Sequence, residues 1–202
     1  MTVNSLSLTS ANPQRQAGYT LIELSITLSI IAVLLVGTLT GVQRLLQAND
    51  TNNTIATTQA AISNITRLYK ATADKTIYDT KILTQMGAWD ISVATISGGS
   101  ATVRNPYDGK VTVFQNGLSV GTADAFTGYW YRIGGVPKGA CASLVTSFTN
   151  SADAIYINAS AVGANTSLGT VYKNPGVAAS NTALATGCAL ANTVEVSLFI
   201  AS

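Results

Sequence analysis

The 202-residue chain contains no histidine. That absence removes the imidazole on which Ser/His/Asp and Cys/His nucleophilic sites depend, and every His-based zinc site with it. Charge is scarce too: 10% of the residues are Asp, Glu, Lys or Arg, and the formal net charge is +2. No broad basic surface can be built from so little, so nucleic acid is not an expected partner. Only two cysteines occur, Cys141 and Cys188, too far apart for a CxxC redox or metal pair. A single disulfide is the economical reading and places the domain in an oxidising compartment outside the cytoplasm; two buried free thiols are the competing one. Such a bridge closes a loop of roughly 48 residues, worth about 4 kcal/mol in the chain-entropy model. The aspartates Asp74, Asp79, Asp90, Asp108 and Asp124 are scattered, without glycosidase-like pairing or a Ca²⁺ loop. They read as turn and cap residues, and neither enzyme activity nor a metal or other cofactor is expected.

What the chain does have is apolar side chains, 47% of the total, concentrated near the N-terminus. From Leu24 to Gln43 no side chain is charged, and at about 1.5 Å per residue this stretch covers the roughly 30 Å of a hydrocarbon core. No convincing small-x-small cleavage site follows Val42, so the span is expected to be retained rather than removed as a secretory signal. Arg15 and the starting amine precede it and Arg44 follows, a distribution that orients it only weakly. Glu23 is the anomaly, because an acid at the centre of a span costs about 2.5 to 3.5 kcal/mol, though less near its end. A cut after Gly18 would create a compensating charge: the new amine on Tyr19 stands four residues before Glu23, about one helical turn away. In an uncut chain Glu23 is a first-turn glutamate favoured by the helix dipole.

Gly18-Tyr19-Thr20-Leu21-Ile22-Glu23, followed by the uncharged apolar run, resembles the class III signal of type IV pilins. The resemblance implies cleavage after Gly18 by a membrane aspartate peptidase on the cytoplasmic side, with Tyr19 as the N-methylated first residue. It also implies that Glu23 pairs with the N-terminal amine of a neighbouring subunit. Physical logic agrees: glycine lets a protease reach the backbone, and a buried amine and carboxylate neutralise each other, fixing register more than adding stability. Tyr19 stands where the larger pilin class usually carries phenylalanine, and the 18-residue leader is long. Both features point to the type IVb group, which includes toxin-coregulated, bundle-forming and plasmid-encoded thin pili.

Beyond the span, Ile55, Ile62, Ile65 and Tyr69 mark one helical face, while Asn52, Thr57, Ser63, Arg67 and Lys70 occupy much of the remainder. This predicts one helix over residues 19–73, roughly 80 Å long, with 19–43 as membrane span and filament core and 44–73 amphipathic. Gly37 and Gly41 form a Gly-x-x-x-Gly step that serves close helix packing, local melting, or merely reflects membrane-helix composition. Residues 73–104 read as connecting material, with a short helical turn near Thr80 to Met86 and a loop at 98–100. Asn105-Pro106-Tyr107-Asp108-Gly109 is a strong turn signal and resembles the element preceding the sheet in type IVb pilins. Val111, Val113 and Gln115 lead through Asn116-Gly117 to Leu118 and Val120, the pattern of a type I′ hairpin. Tyr129 to Ile133, Ala154 to Asn158 and Val194 to Ile200 read as strands, with a short helix after Pro137 carrying Cys141.

The expected fold is therefore α+β: a long N-terminal helix spine on an antiparallel, non-sequential sheet, a pilin fold with one C-terminal disulfide. Residues 1–18 form the leader, 19–73 the helix and 74–202 the globular part, in which 141–188 resembles the variable D-region. The resemblance implies a structural subunit polymerised with copies of itself into a surface filament for adhesion, aggregation or mating contact. Expected partners are the prepilin peptidase, the inner-membrane assembly machinery, the inner membrane before assembly, and a receptor on a host or bacterial cell. The precursor is expected in the inner membrane and the product in an extracellular pilus. The alternatives are a minor pilin or pseudopilin, or a tip adhesin with a ligand-binding D-region. Tyr129, Trp130 and Tyr131 could give such an adhesin an aromatic contact surface, although strand alternation favours rings pointing by turns to core and surface.

Overall fold

The computed structural model describes residues 19–71, 79–90, 92–115, 118–120, 124–126, 128–158 and 169–201. The chain divides into two compact units, Met1–Arg44 and Leu45–Ser202, and helix α1 (Leu21–Ala71) contributes residues to both.

In the first unit the helix starts at a threonine cap. The Thr20 hydroxyl accepts from the Glu23 amide at 3.3 Å, and the Thr20 carbonyl accepts from the Leu24 amide at 3.1 Å. Thr20-Leu21-Ile22-Glu23 is thus a capping sequence as well as a motif, with the acid in the first turn. Ser25, Thr27, Ser29 and Thr38 donate their hydroxyls to carbonyls three or four residues back. Their polarity is spent within the helix, so its surface is left to Leu, Ile and Val.

In the second unit α1 buries Thr51, Thr54, Thr58, Ala61, Ile65 and Tyr69, a stripe at three- and four-residue spacing. Ile55 and Ile62, expected at its centre, are only half-buried and flank it. A seven-stranded antiparallel sheet packs on this stripe. Its strands are β1 (Ala94–Ser97), β2 (Ser100–Arg104), β3 (Lys110–Gln115), β6 (Gly128–Pro137), β7 (Ala154–Asn158), β8 (Thr170–Lys173) and β9 (Thr193–Ala201), in the order β1-β2-β3-β6-β9-β7-β8. Two further strands, β4 (Leu118–Val120) and β5 (Asp124–Phe126), pair only with each other. Short helices α2 (Thr80–Gln85), α3 (Lys138–Ser147) and α4 (Asn181–Cys188) complete the described elements.

The central pair β6 and β9 shows why the sheet lies where it does. Tyr129, Tyr131 and Ile133 of β6 and Val194, Val196, Leu198 and Ile200 of β9 alternate onto the helix side and join the main core. The other face is covered too: Trp130 is 2% exposed, with its ring 5.1 Å from Phe199 and 5.5 Å from Tyr156. This corrects the aromatic contact surface and the surface-facing ring, since Tyr129, Trp130 and Tyr131 are all buried.

Two local expectations are also corrected. Residues 94–104 form the β1–β2 hairpin rather than connecting material, turning at Gly98 and Gly99 with φ of 55° and 87°. Among the described residues β3 and β4 are not paired, and the expected Asn116-Gly117 turn itself lies outside them. At Phe114 one edge of β3 is paired with Trp130 of β6 and the other with Asp79, so no ladder position remains for β4. The Asn105 turn does form: its side-chain oxygen accepts from the Tyr107 and Gly109 amides, both at 3.0 Å. Its amide nitrogen donates to the Gly134 carbonyl at 2.7 Å, docking the turn on a bulge in β6. The backbones meet so closely that a Cβ on Gly109 would lie 1.8 Å from the Gly134 oxygen.

Candidate assembly segment and disulfide-bounded region

Of the residues singled out in the sequence, Gly18 lies outside the described residues, as do residues 1–17. Tyr19 is 83% exposed and precedes the helix, with Thr20 as the cap between it and Leu21. Glu23 is exposed in the first turn, and no described residue forms an ion pair with it. Gly37 and Gly41 sit mid-helix, where an added Cβ would meet nothing within 4 Å. Among the described residues nothing occupies the space beside those two positions. The segment is long and apolar enough to cross a membrane by length and composition, and none of its apolar window is buried.

Cys141 and Cys188, by contrast, are brought together. They form a disulfide between the first turns of α3 and the end of α4, with Cα atoms 5.7 Å apart and 47 residues of separation. The enclosed region contains β7 and β8. Lys173 of β8 donates to the Thr149 and Ala152 carbonyls at 2.6 and 2.7 Å, a cation at the turn that ends α3. Gly187 of α4 packs against Ile157, where an added Cβ would approach to 2.9 Å. The region is thereby held by a covalent bond, a charged staple and a close backbone contact.

The polar groups that hold the second unit together were not evident in the sequence. Tyr107 donates to Thr51 at 2.7 Å; Tyr129 shares a 2.9 Å hydrogen bond with Thr66 and donates to the Ile62 carbonyl; Tyr131 bonds Thr58 and accepts from the Trp89 indole at 3.2 Å. Burial pushes these tyrosines upward, Tyr129 to about 12, with the threonine bonds acting the other way. Thr51, Thr54 and Thr58 continue the spacing of Ala61 and Ile65, a signal that a search for aliphatic residues discards. On the far face of the sheet Arg132 and Glu195 form a buried ion pair at 3.0 Å, with the guanidinium 4.7 Å over the Phe114 ring. Such a pair fixes pairing geometry between β6 and β9 more than it adds stability.

Asp79 and Asp90 serve as local caps, whereas Asp124, expected in a turn or cap, opens strand β5 opposite Val120. Asp79 accepts from the Ile82 amide at the start of α2, and Asp90 accepts from the Ser92 amide, which lowers its pKa. Asp108, at φ 60°, pairs with Arg104 at 2.9 Å, and Asp74 lies outside the described residues.

Solved structures share this fold. The crystal structure of a type IV b pilin from Salmonella typhi is 20% identical, with a TM-score of 0.52, covering 77% of this chain and 99% of that one. TcpA, a type IV pilin from the Vibrio cholerae El Tor biotype, is 17% identical, with a TM-score of 0.50, covering 75% of this chain and 98% of that one. A search of curated proteins gives no match. A family model for the prokaryotic N-terminal methylation motif matches residues 13–39, the stretch that contains Gly18, Tyr19 and Glu23. The fold is that of these type IV pilins, and the N-terminal stretch is a methylation motif. The chain belongs to the PilS family, whose model, described as PilS N terminal, matches residues 47–200.

Proposed function

We propose that the protein is the structural subunit of a type IVb pilus, inserted in the inner membrane as a precursor and then polymerised with copies of itself into an extracellular filament. The observation that carries this is the unburied apolar half of α1: side chains from Leu21 to Leu46, among them Ile22, Leu28, Ile31, Leu34 and Leu39, are exposed in the single chain. So much contiguous apolar surface requires lipid or other chains to cover it. Lipid would cover it before assembly, and the same segments of neighbouring subunits afterwards.

In this reading a prepilin peptidase cuts after Gly18, and the new amine on Tyr19 is methylated. Methylation leaves the amine basic, so it can neutralise Glu23 of a neighbour inside the apolar filament core. A subunit added out of stagger would leave Glu23 without that partner, and the cost of an uncompensated buried acid selects the correct register. Gly37 and Gly41 leave room for a neighbouring helix to approach or for the helix to stretch. The globular unit, closed by its disulfide, would form the filament exterior and carry whatever adhesive, aggregative or mating contact the pilus makes.

Intact mass and N-terminal sequencing of protein sheared from the cell surface test the reading. A chain beginning at Tyr19, one methyl group heavier and two hydrogens lighter than its sequence, is the expected result. A chain that keeps Met1 and is found only in membranes would overturn it.

A further inference from the structure

Strand β1 ends the seven-stranded sheet, and its outer edge has no partner strand among the described residues. The hairpin register decides which backbone groups that edge presents. Ser97 pairs with Ser100 across the turn and Thr95 with Thr102, while the Val93 carbonyl accepts from the Arg104 amide at 2.9 Å. Hydrogen-bonded and non-hydrogen-bonded pairs alternate along an antiparallel ladder, so residues 93, 95 and 97 turn their backbone groups towards β2. Ala94 and Ile96 therefore turn theirs outward. Proteins normally blunt such an edge with lysine, proline or a bulge. The sequence Ala-Thr-Ile-Ser, in unbroken register with β2, has none of these, and Ile96, 47% exposed, adds an uncovered apolar side chain.

We propose that β1 pairs antiparallel with β1 of a second copy of this chain, about a two-fold axis at Thr95. Register singles out that arrangement. With Thr95 opposite its own counterpart, Ala94 of each copy faces Ile96 of the other, and the outward amides and carbonyls of both strands satisfy one another. An axis at Ile96 would set Ala94 against Gly98, whose φ of 55° has left the extended region, and an axis at Ala94 would set Ile96 against Ser92, in the turn before the strand. The side chains agree with the Thr95 axis: threonine on threonine is a favourable cross-strand pair, and Ile96 gains cover from Ala94. A two-fold sets each residue against itself or a close neighbour, so a charged strand would repel its own copy. Strand β1 has no charge, and an unrelated strand would find no charge on it to select. The contact is short, so it is weak between free subunits and accumulates between filaments that present many copies. Two-fold symmetry cannot recur along a polar filament whose neighbours are related head to tail, so the contact joins separate filaments. That last step rests on the pilin reading, whereas the pairing itself does not.

The test is disulfide trapping in the full chain, solubilised in detergent, oxidised mildly and read on a non-reducing gel. Thr95→Cys would bring two thiols together at the axis, with Cα atoms about 4.5 Å apart, within disulfide range. Ser97→Cys, also at an exposed position, would stand about 14 Å from its counterpart along the strand. Dimer from Thr95→Cys should exceed that from Ser97→Cys at least about tenfold. Peptide mapping should show the new thiols joined to each other. Adding Ile96→Pro to Thr95→Cys removes one outward amide from each copy and none from the β1–β2 ladder, so dimer should fall at least about fivefold while the melting curve stays in place. Should the proline variant fail to fold, Ile96→Lys, which puts a cation on each edge, should give the same fall. No dimer from Thr95→Cys overturns the proposal, as do equal yields from the two cysteine variants. A bridge to Cys141 or Cys188 overturns it too, as does a yield that the changes at Ile96 leave in place. The solubilised sample does not depend on filament formation, so its failure leaves the pilin reading untouched.

Discussion

The two parts of helix α1 invert the usual relation between composition and burial. Residues 21–44 hold its longest aliphatic run and bury none of it, whereas the part within the second unit sets Thr51, Thr54 and Thr58 against the sheet. The difference teaches what each surface is for. Apolar surface is non-directional and can be covered equally by lipid or by a neighbouring chain, as the proposed passage from membrane to filament requires. Hydroxyl-to-tyrosine contacts are directional and allow one register only, as a helix fixed to its own sheet requires. In the proposed pilus one part is completed from outside the chain; the other completes itself.

The sharpest way to break that comparison is at Glu23. Glu23→Val should leave the melting of the globular unit unchanged and abolish filaments, scored by electron microscopy of sheared material. Normal filaments would mean that the first part needs no polar register. Within the self-held part the largest effect is expected at the buried pair: Arg132→Met alone should cost about 3–5 kcal/mol in urea unfolding. Adding Glu195→Met should recover most of that loss, and no recovery would show that the two side chains act separately. Cys141→Ser should cost about 2–5 kcal/mol and lower subunit abundance through proteolysis, read by immunoblot. Unchanged stability would detach the disulfide from the fold of residues 141–188.

A pH scan sharpens the contrast more gently. Tyr129 ionises near 10 in an unfolded chain and near 12 when buried, so the folded state keeps its proton longer across that window. Stability should be level below pH 10 and fall as pH rises towards 12, by about 1 kcal/mol at pH 11 from this residue. Tyr129→Phe should flatten that decline in a urea titration at each pH. The smallest effect is at the helix–sheet contact itself. Tyr107→Phe removes one neutral hydrogen bond to Thr51 and should cost about 1 kcal/mol, measured as a shift in urea midpoint. A loss near zero would mean that the threonine stripe is packing alone.

Much of the architecture could be read from pattern. The strands at Tyr129–Ile133, Ala154–Asn158 and Val194–Ile200 are short runs rich in aromatic and β-branched residues, and Pro137 announces α3. What escaped had a physical reason. The β1 strand, Ala94–Ser97, is largely exposed and only four residues long, too short for its Ala-Thr-Ile-Ser alternation to stand out. Helix α4 is built from Ala, Thr and Gly around one leucine, too little for an apolar stripe. The Asn116-Gly117 dipeptide gave a strong turn signal, but a turn signal does not say which strands it joins, and the edge at Phe114 was already taken. Trp130 was misjudged because alternation assigns faces, whereas only the tertiary structure shows that both faces are covered. Of the candidate site residues, the structure brings together the cysteine pair, which spacing alone left open against two free thiols.

The disulfide also sets the mechanical character of the globular unit. Tension applied between the start of that unit and its C-terminal strand would be carried across the Cys141–Cys188 bond, by-passing the loop that spans their sequence separation of 47. About 160 Å of extended contour is thereby withheld from any unfolding event, at roughly 3.4 Å per residue. Under a pull that opened the sheet, β7, β8 and both flanking helices would remain one covalently closed loop, a short tether where a reduced chain would pay out its full length.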